Sequence, residues 1–407
     1  MKVVHICTTL EGGAGLCASR IMKATNKLGI DTYALLQSGK TNSNTDIVYG
    51  NMPWSKNWLI KKIQIVLRLF HLWPYPIKIS RKVQKERQKY TNGYFSSPIT
   101  LYNNIAEHPW IKEADIIHIQ WIGGFLDYES FFKKVHKPIV WTIHDENPGL
   151  GGFHYSSWKA AAPDSFKKLD DEFMEIKRKA YKEAKSMTLV AISTMMADYF
   201  KNNELLKDFP VKIIHNGIDG ETFIPINKDI AREALAIEKD ELVFLFAANY
   251  IDEERKGLNE LIEALEKLKL PDTTLICLGK YHSLPKTSLN VRYEGFIANN
   301  RIQSLYYSAA DYFVMPSFQE AFAQTPMEAM ACGTPVIAFP CSGARDLIND
   351  KNGVVCEDFT VNALQDGIEK AIKYKFNGEE IRTDLLNRFS YDIIAEQYIE
   401  LYQEILR

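Results

Sequence analysis

The chain has 407 residues, 46% of them hydrophobic and 25% charged, with a formal net charge of −2. That length exceeds one ordinary core and suits two domains of roughly 150–200 residues each. The charge balance creates no global field that would draw nucleic acid, and no run of about 18 apolar residues is present to span a bilayer as a helix.

The opening Met1-Lys2-Val3-Val4-His5-Ile6-Cys7 is too short for a signal peptide and has no small-residue cleavage pattern after it, so it reads as a first strand. Further strands are expected at Thr32–Leu36, Ile116–Ile119, Ile139–Ile143, Thr188–Ile192 and Lys212–Ile214. A second series is expected at Leu242–Ala247, Thr274–Leu278, Val291–Glu294, Tyr312–Met315, Pro335–Ala338 and Val354–Cys356. Short apolar runs alternating with amphipathic stretches are the α/β signature of parallel sheets with crossover helices. Two series in succession predict two doubly wound domains. The joint is expected at His215-Asn216-Gly217-Ile218-Asp219 through Phe223-Ile224-Pro225, where Asn-Gly and Asp-Gly precede a proline. The domains are then 1–222 and 223–390, and a helix over 391–407 is expected to return to the first. The six cysteines, Cys7, Cys17, Cys277, Cys332, Cys341 and Cys356, form no Cys-x-x-Cys pair and fit buried free thiols in a reducing cytosol.

Within the first half, Glu11-Gly12-Gly13-Ala14-Gly15 follows the first strand and opens a helix. Its glycines admit close approach of a ligand to the backbone, and a plain tight turn fits them equally. His144, in Trp141-Thr142-Ile143-His144-Asp145, ends another strand, where active-site groups collect. Between Trp54 and Tyr90 ten basic residues accompany a single acid, Glu86. Asn57, Lys61, Gln64, Arg68 and His71 share one helical face there. Such a basic, tryptophan-bearing helix suits a membrane interface or a lipid-linked acceptor, and also a helix packed on its own domain.

The second half carries the richest stretch, Pro316 to Val336. Thr325-Pro326-Met327-Glu328 reads as a helix start, with Thr325 as N-cap, Pro326 at N1 and Glu328 at N3. Its unpaired N–H groups would lie at the strand C-termini, where a diphosphate is stabilised without side chains. Glu320 lies in the preceding loop, and burying its carboxylate requires a partner or a ligand. Glu320, seven residues, Glu328, then Ala-Met-Ala-Cys-Gly-Thr-Pro-Val resembles the signature of the retaining GT-B glycosyltransferases of family 4. Asn216-Gly217-Ile218-Asp219, Arg255-Lys256-Gly257, Gly295-Phe296, Ser342-Gly343-Ala344-Arg345-Asp346 and Asn352-Gly353 fall in the family's order.

The resemblance implies a GT-B fold, two Rossmann-like domains facing across a cleft. It implies that Glu320 contacts the donor sugar, Glu328 holds the ribose hydroxyls, and the N–H groups of Phe322 and Ala323 approach sugar or phosphate. Lys256 would contact the pyrophosphate and Ile297 the base. Gly12 and Gly13 would meet the donor, and His144 would act near the sugar. Asp145 and His154 are further acceptor-side candidates. Family members carry Gly-Arg after the first strand of the second domain; here Ala248-Asn249 stands there, and Arg255 is the candidate substitute.

The implied activity is metal-independent transfer, with retention, of a hexose-type sugar from a nucleoside-diphosphate sugar, with no separate cofactor. A glycan or polyprenyl-diphosphate-linked acceptor is expected, as in bacterial polysaccharide synthesis, with a cytoplasmic location, and 54–90 is the candidate contact with the inner membrane face. No Asp-x-Asp motif is placed to bind a metal. The rivals are a silent sugar-nucleotide-binding subunit and a GT-B epimerase or phosphorylase. A dinucleotide oxidoreductase would share the Rossmann elements, but this chain lacks a true Gly-x-Gly-x-x-Gly, and fold alone does not decide function.

Overall fold

The computed structural model describes residues 1–50, 75–90 and 93–407. The chain divides into two compact units: Met1–Ile192, Ala197–Ile214 and Ala395–Arg407 form the first, and Ser193–Met196 with His215–Ile394 form the second.

The first unit is built on a seven-stranded sheet. Its strands are β1 (Lys2–Cys7), β2 (Asp31–Leu36), β3 (Thr45–Ile47), β4 (Ile116–Ile119), β5 (Ile139–Ile143), β6 (Met187–Ala191) and β7 (Val211–Ile213), in the order β3-β2-β1-β4-β5-β6-β7. Every neighbouring pair is parallel. The inner strands are buried on both faces, which is why they read as apolar runs rather than alternations. The strand order reverses between β1 and β4, so their C-terminal ends flank a crevice of the kind in which such sheets bind ligands.

The second unit repeats the plan with six parallel strands: β8 (Leu242–Tyr250), β9 (Thr273–Lys280), β10 (Asn290–Gly295), β11 (Tyr312–Met315), β12 (Val336–Ala338) and β13 (Gly353–Val355). Their order is β10-β9-β8-β11-β12-β13, with the switch between β8 and β11. Leu261 and Leu265 of helix Leu258–Leu268, and Leu364 and Ile368 of helix Val361–Lys373, pack with Phe244 and Ile337 into its core.

All six cysteines are free and buried. The helical face drawn through Asn57, Lys61, Gln64, Arg68 and His71 lies outside the described residues. The end of that basic run forms helix Tyr75–Arg87, whose Ile79 and Val83 pack with Phe95, Phe153 and Phe166. Its Lys82 pairs with Glu172 at 2.6 Å. Among the described residues no helix is long and apolar enough to cross a membrane.

Candidate active site

The switch point of the second unit gathers three segments. After β8 the chain forms a 3-10 turn, Glu254–Lys256, and closes at Gly257 with φ +75°. A Cβ at Gly257 would stand 2.0 Å from the Pro316 carbonyl oxygen, so only glycine lets this turn touch the loop after β11. The Phe318 N–H donates to the Arg255 carbonyl at 2.9 Å, and the Arg255 guanidinium donates to the Gln319 carbonyl at 3.2 Å. Lys256 and Glu320 form an ion pair, with Arg255 Nη1 3.6 Å from the same carboxylate. Burial raises the Glu320 pKa, while Lys256 and Arg255 lower it; the cations prevail and hold the carboxyl below its usual range. The sequence argument required a partner or a ligand for the Glu320 carboxylate if it is buried; it is partly buried, and Lys256 is its partner.

The loop then turns into helix Gln324–Ala331. Its N-cap is Ala323, in extended conformation and with no side-chain cap. The expected capping box with Thr325 as N-cap is therefore incorrect: the helix begins before Thr325, and Pro326 sits inside its first turn. Glu328, 9% exposed, accepts a 2.8 Å hydrogen bond from the Tyr307 hydroxyl. Two carbonyls ahead of the helix are taken inward. Ser342 Oγ donates to the Ala321 carbonyl at 3.1 Å, and Asn216 Nδ2 donates to the Phe322 carbonyl at 3.3 Å. In a trans peptide the N–H points opposite to its C=O. The N–H groups of Phe322 and Ala323 therefore point away from Ser342 and Asn216, at the positive end of a helix dipole.

The remaining donor-side candidates lie near the same strand ends. Asn249 is exposed near the end of β8, beside a register shift. Arg255 is also paired with Glu253 at 2.8 Å. Ile297 follows β10 and its carbonyl accepts from Gln303 at 2.7 Å. Next to it Phe296 is 54% exposed, with Lys280 Nζ 5.0 Å from its ring centre.

In the first unit, helix Gly12–Lys27 starts directly after β1. Gly12 has φ +72° and needs glycine for that reason. A Cβ on Gly15 would stand 2.5 Å from the Thr9 carbonyl oxygen, so Gly15 is a packing requirement. Neither reason applies to Gly13, in front of which no atom lies within 4 Å of an added Cβ.

His144 follows β5 and is partly buried, and its Nε2 lies 3.0 Å from Gln120 Oε1. Burial pushes its pKa down to about 4 against the raising effect of Asp145, so the ring is neutral at physiological pH. Asp145 and His154 are both buried. Asp145 Oδ2 accepts from Trp121 Nε1 at 2.8 Å and from His154 Nδ1 at 2.6 Å, and Oδ1 accepts from the Asn147 N–H at 3.0 Å. Burial raises the Asp145 pKa, His154 lowers it, and the net direction is down. Ser96 Oγ lies 3.0 Å from His154 Nε2. This Ser–His–Asp order matches a hydrolase triad, but Ser96 is buried and its own N–H donates to the Gly152 carbonyl at 2.9 Å. That leaves no oxyanion donor on the would-be nucleophile, and the trio braces the loop after β5.

The same loop is clamped from below by a residue the sequence reading passed over. Lys177, 1% exposed, donates to the carbonyls of Asn147 at 2.6 Å and Leu150 at 2.8 Å. Asp170 accepts from the N–H groups of Gly152 and Phe153. A lysine and an aspartate on the apolar face of helix Asp164–Tyr181 were the available signal.

Two doubly wound units, the second with a cationic turn and an acid-flanked helix start at its switch point, define the GT-B class. The model described as Glycosyltransferase Family 4 matches residues 12–222, and that described as Glycosyl transferases group 1 matches residues 227–389. The chain belongs to glycosyltransferase family 4 and is a glycosyltransferase. It is 28% identical over 316 residues to the uncharacterized glycosyltransferase MJ1607 of Methanocaldococcus jannaschii, a match covering 72% of this chain and 76% of that one. It is 28% identical over 226 residues to the N,N'-diacetylbacillosaminyl-diphospho-undecaprenol alpha-1,3-N-acetylgalactosaminyltransferase of Campylobacter jejuni, covering 51% of this chain and 58% of that one. Among solved structures, Anabaena Alr3699/HepE in complex with UDP and glucose superposes with a TM-score of 0.65 at 18% identity, covering 99% of each chain. That last likeness is one of fold.

Proposed function

We propose that the chain transfers a hexose-type sugar from a nucleoside-diphosphate sugar to a hydroxyl of a glycan or lipid-linked glycan, with retention at the anomeric carbon. The observation that carries this reading is the join between Arg255-Lys256-Gly257 and the loop before helix Gln324–Ala331. It puts two cations, two inward-anchored peptides and a helix N-terminus at one switch point, a combination suited to a diphosphate. Lys256 stabilises charge on the departing diphosphate, Glu320 meets the sugar, and Glu328 takes the ribose hydroxyls. The acceptor oxygen bonds to the anomeric carbon as the bond from that carbon to phosphate oxygen breaks, and the acceptor proton passes to the departing phosphate. The cations make a divalent ion unnecessary. His144 of the first unit serves transfer as a neutral imidazole. The basic run over 54–90 and the diphospho-undecaprenol in the name of the Campylobacter relative favour a lipid-linked acceptor at the inner membrane face.

One observation favours a second reading. Asn249 stands where the family pattern has an arginine, and Arg255 is engaged by Glu253, Gln319 and Glu320. A donor-binding subunit without transfer activity would show donor binding and no turnover. The experiment is release of nucleoside diphosphate from a panel of donor sugars with lipid-linked and free glycan acceptors, followed by NMR of the product anomer. Turnover with the donor's anomeric configuration kept supports the proposal. An inverted product overturns retention, and no turnover with any pair supports the silent subunit.

A further inference from the structure

Beneath His144 a chain of polar side chains runs through the core of the first unit. Strand side chains alternate between faces, and partners in a parallel pair share a face. His5 is in register with His118, and His118 with Val140. His5, His118, Gln120, Thr142 and His144 therefore stand on one face of β1, β4, β5 and the residues that follow them. His5, His118 and Thr142 have no solvent exposure, and Gln120 has 1%. Polar groups buried this deeply are costly unless they are bonded.

Apart from His5 Nε2, which has no hydrogen-bond partner among the described residues, they are bonded to one another and to the last helix, Tyr391–Leu406. His144 Nε2–H donates to Gln120 Oε1 at 3.0 Å. The Gln120 amide donates to His118 Nε2 at 3.0 Å, and the Thr142 hydroxyl reaches the same nitrogen at 2.7 Å. On the other side of that ring, His118 Nδ1 lies 2.6 Å from the Tyr402 hydroxyl. The Tyr398 hydroxyl lies 2.8 Å from Thr142 Oγ1. Tyr398 and Tyr402 are fully buried. The Gln120 backbone is held as well, its N–H by the Ile6 carbonyl at 2.9 Å and its carbonyl by Trp141 Nε1 at 3.2 Å.

We infer that Gln120 is the positioning residue for His144, and that Tyr398 and Tyr402 of the C-terminal helix hold Gln120 in place through Thr142 and His118. The inference rests on the reading of His144 as a group that takes part in transfer. An amide has two unlike ends. With its NH2 end committed to His118, Gln120 presents its carbonyl to His144, and a carbonyl accepts only from a protonated ring nitrogen. His144 is thereby fixed with its proton on Nε2 and its lone pair on Nδ1. A ring in that state accepts a hydrogen bond from a hydroxyl and has no charge to offer a phosphate. The ligand it selects is therefore a sugar hydroxyl, on donor or acceptor.

The test uses the full chain and the best donor and acceptor pair from the panel. Gln120→Leu is expected to lower kcat by about 10- to 100-fold with little change in donor KM, since a misoriented group costs that order of rate. Tyr398→Phe, which removes one buried hydroxyl, moves kcat the same way by less and carries the test if Gln120→Leu does not fold. NMR of 15N-histidine-labelled protein is expected to show His144 as the Nε2–H tautomer in the wild type and as a mixture in Gln120→Leu. In a His144→Ala background, Gln120→Leu is expected to add no further loss. If His144→Ala alone leaves kcat unchanged, the reading of His144 fails and the inference with it. If His144→Ala lowers kcat but Gln120→Leu and Tyr398→Phe do not, or if Gln120→Leu costs as much with His144 absent, only the inference is overturned.

Discussion

The Lys256 ammonium and the Glu320 carboxylate form one ion pair, joining the turn after β8 to the loop after β11 across the switch point of the second unit. A cation held this way is already placed when a diphosphate arrives, and charge aimed in advance at a leaving group is the kind that lowers a barrier. Lys256→Ala is expected to lower kcat/KM by about 100- to 1000-fold, the usual size of one lost transition-state contact. Steady-state kinetics against the donor panel checks it, and a wild-type rate removes Lys256 from the mechanism.

Asn216 tests the orientation of the peptide ahead of helix Gln324–Ala331. It is buried and anchors the Phe322 carbonyl. Asn216→Ala frees that carbonyl and lets the Ala323 N–H swing away. Donor affinity is expected to weaken by about fivefold, the worth of roughly 1 kcal/mol. Calorimetric titration of wild type and variant measures it, and equal affinities would show that this N–H makes no contact.

Glu328 and Tyr307 separate ligand binding from packing. Tyr307→Phe removes a buried hydroxyl bonded to a carboxylate and is expected to cost about 1.5–3 kcal/mol of stability. Glu328→Gln keeps an acceptor for Tyr307 and weakens the proposed ribose contact. Its expected signature is a near-normal melting temperature without donor and a reduced shift with it. A full donor-induced shift in Glu328→Gln would contradict the ribose assignment.

The buried histidines make a pH prediction. Burial lowers the His5 pKa from 6.5 to about 3 and drives that of His118 well down. Below pH 6.5 the unfolded chain takes up protons that the folded chain refuses. The stability that neutral His5 confers is complete above 6.5 and lost as pH falls toward 3, at about 1.4 kcal/mol per pH unit. His5→Asn is expected to flatten the slope of unfolding free energy by roughly that amount between about pH 6.5 and 5. Urea unfolding across that range checks it, and identical slopes contradict it.

Much of the fold was legible because parallel strands with both faces covered leave uninterrupted apolar runs, and only edge strands such as β7 and β10 lack that cover. Twelve of the thirteen strands among the described residues were anticipated. β3 was not, because Thr45–Ile47 is three residues long and forms only by pairing with Ala34–Leu36, a contact no local pattern announces. The capping box at Thr325 failed for a similar reason. A strand-to-helix loop tied down by Ser342 and Asn216, both remote in sequence, sets where the helix begins. Gln120, His118 and His5 were overlooked although a signal existed: each is a polar residue interrupting an apolar strand run or directly ending one. That pattern marks a buried network, and its partners Tyr398 and Tyr402 arrive from the far end of the chain.

The most direct test is calorimetric titration of the full chain with a panel of nucleoside diphosphates and their sugars, repeated on Lys256→Ala. Saturable binding of at least one nucleoside-diphosphate sugar, weakened at least tenfold in the variant, is the predicted result. Binding of none, or equal binding by both proteins, would contradict the assignment of this switch point to a diphosphate.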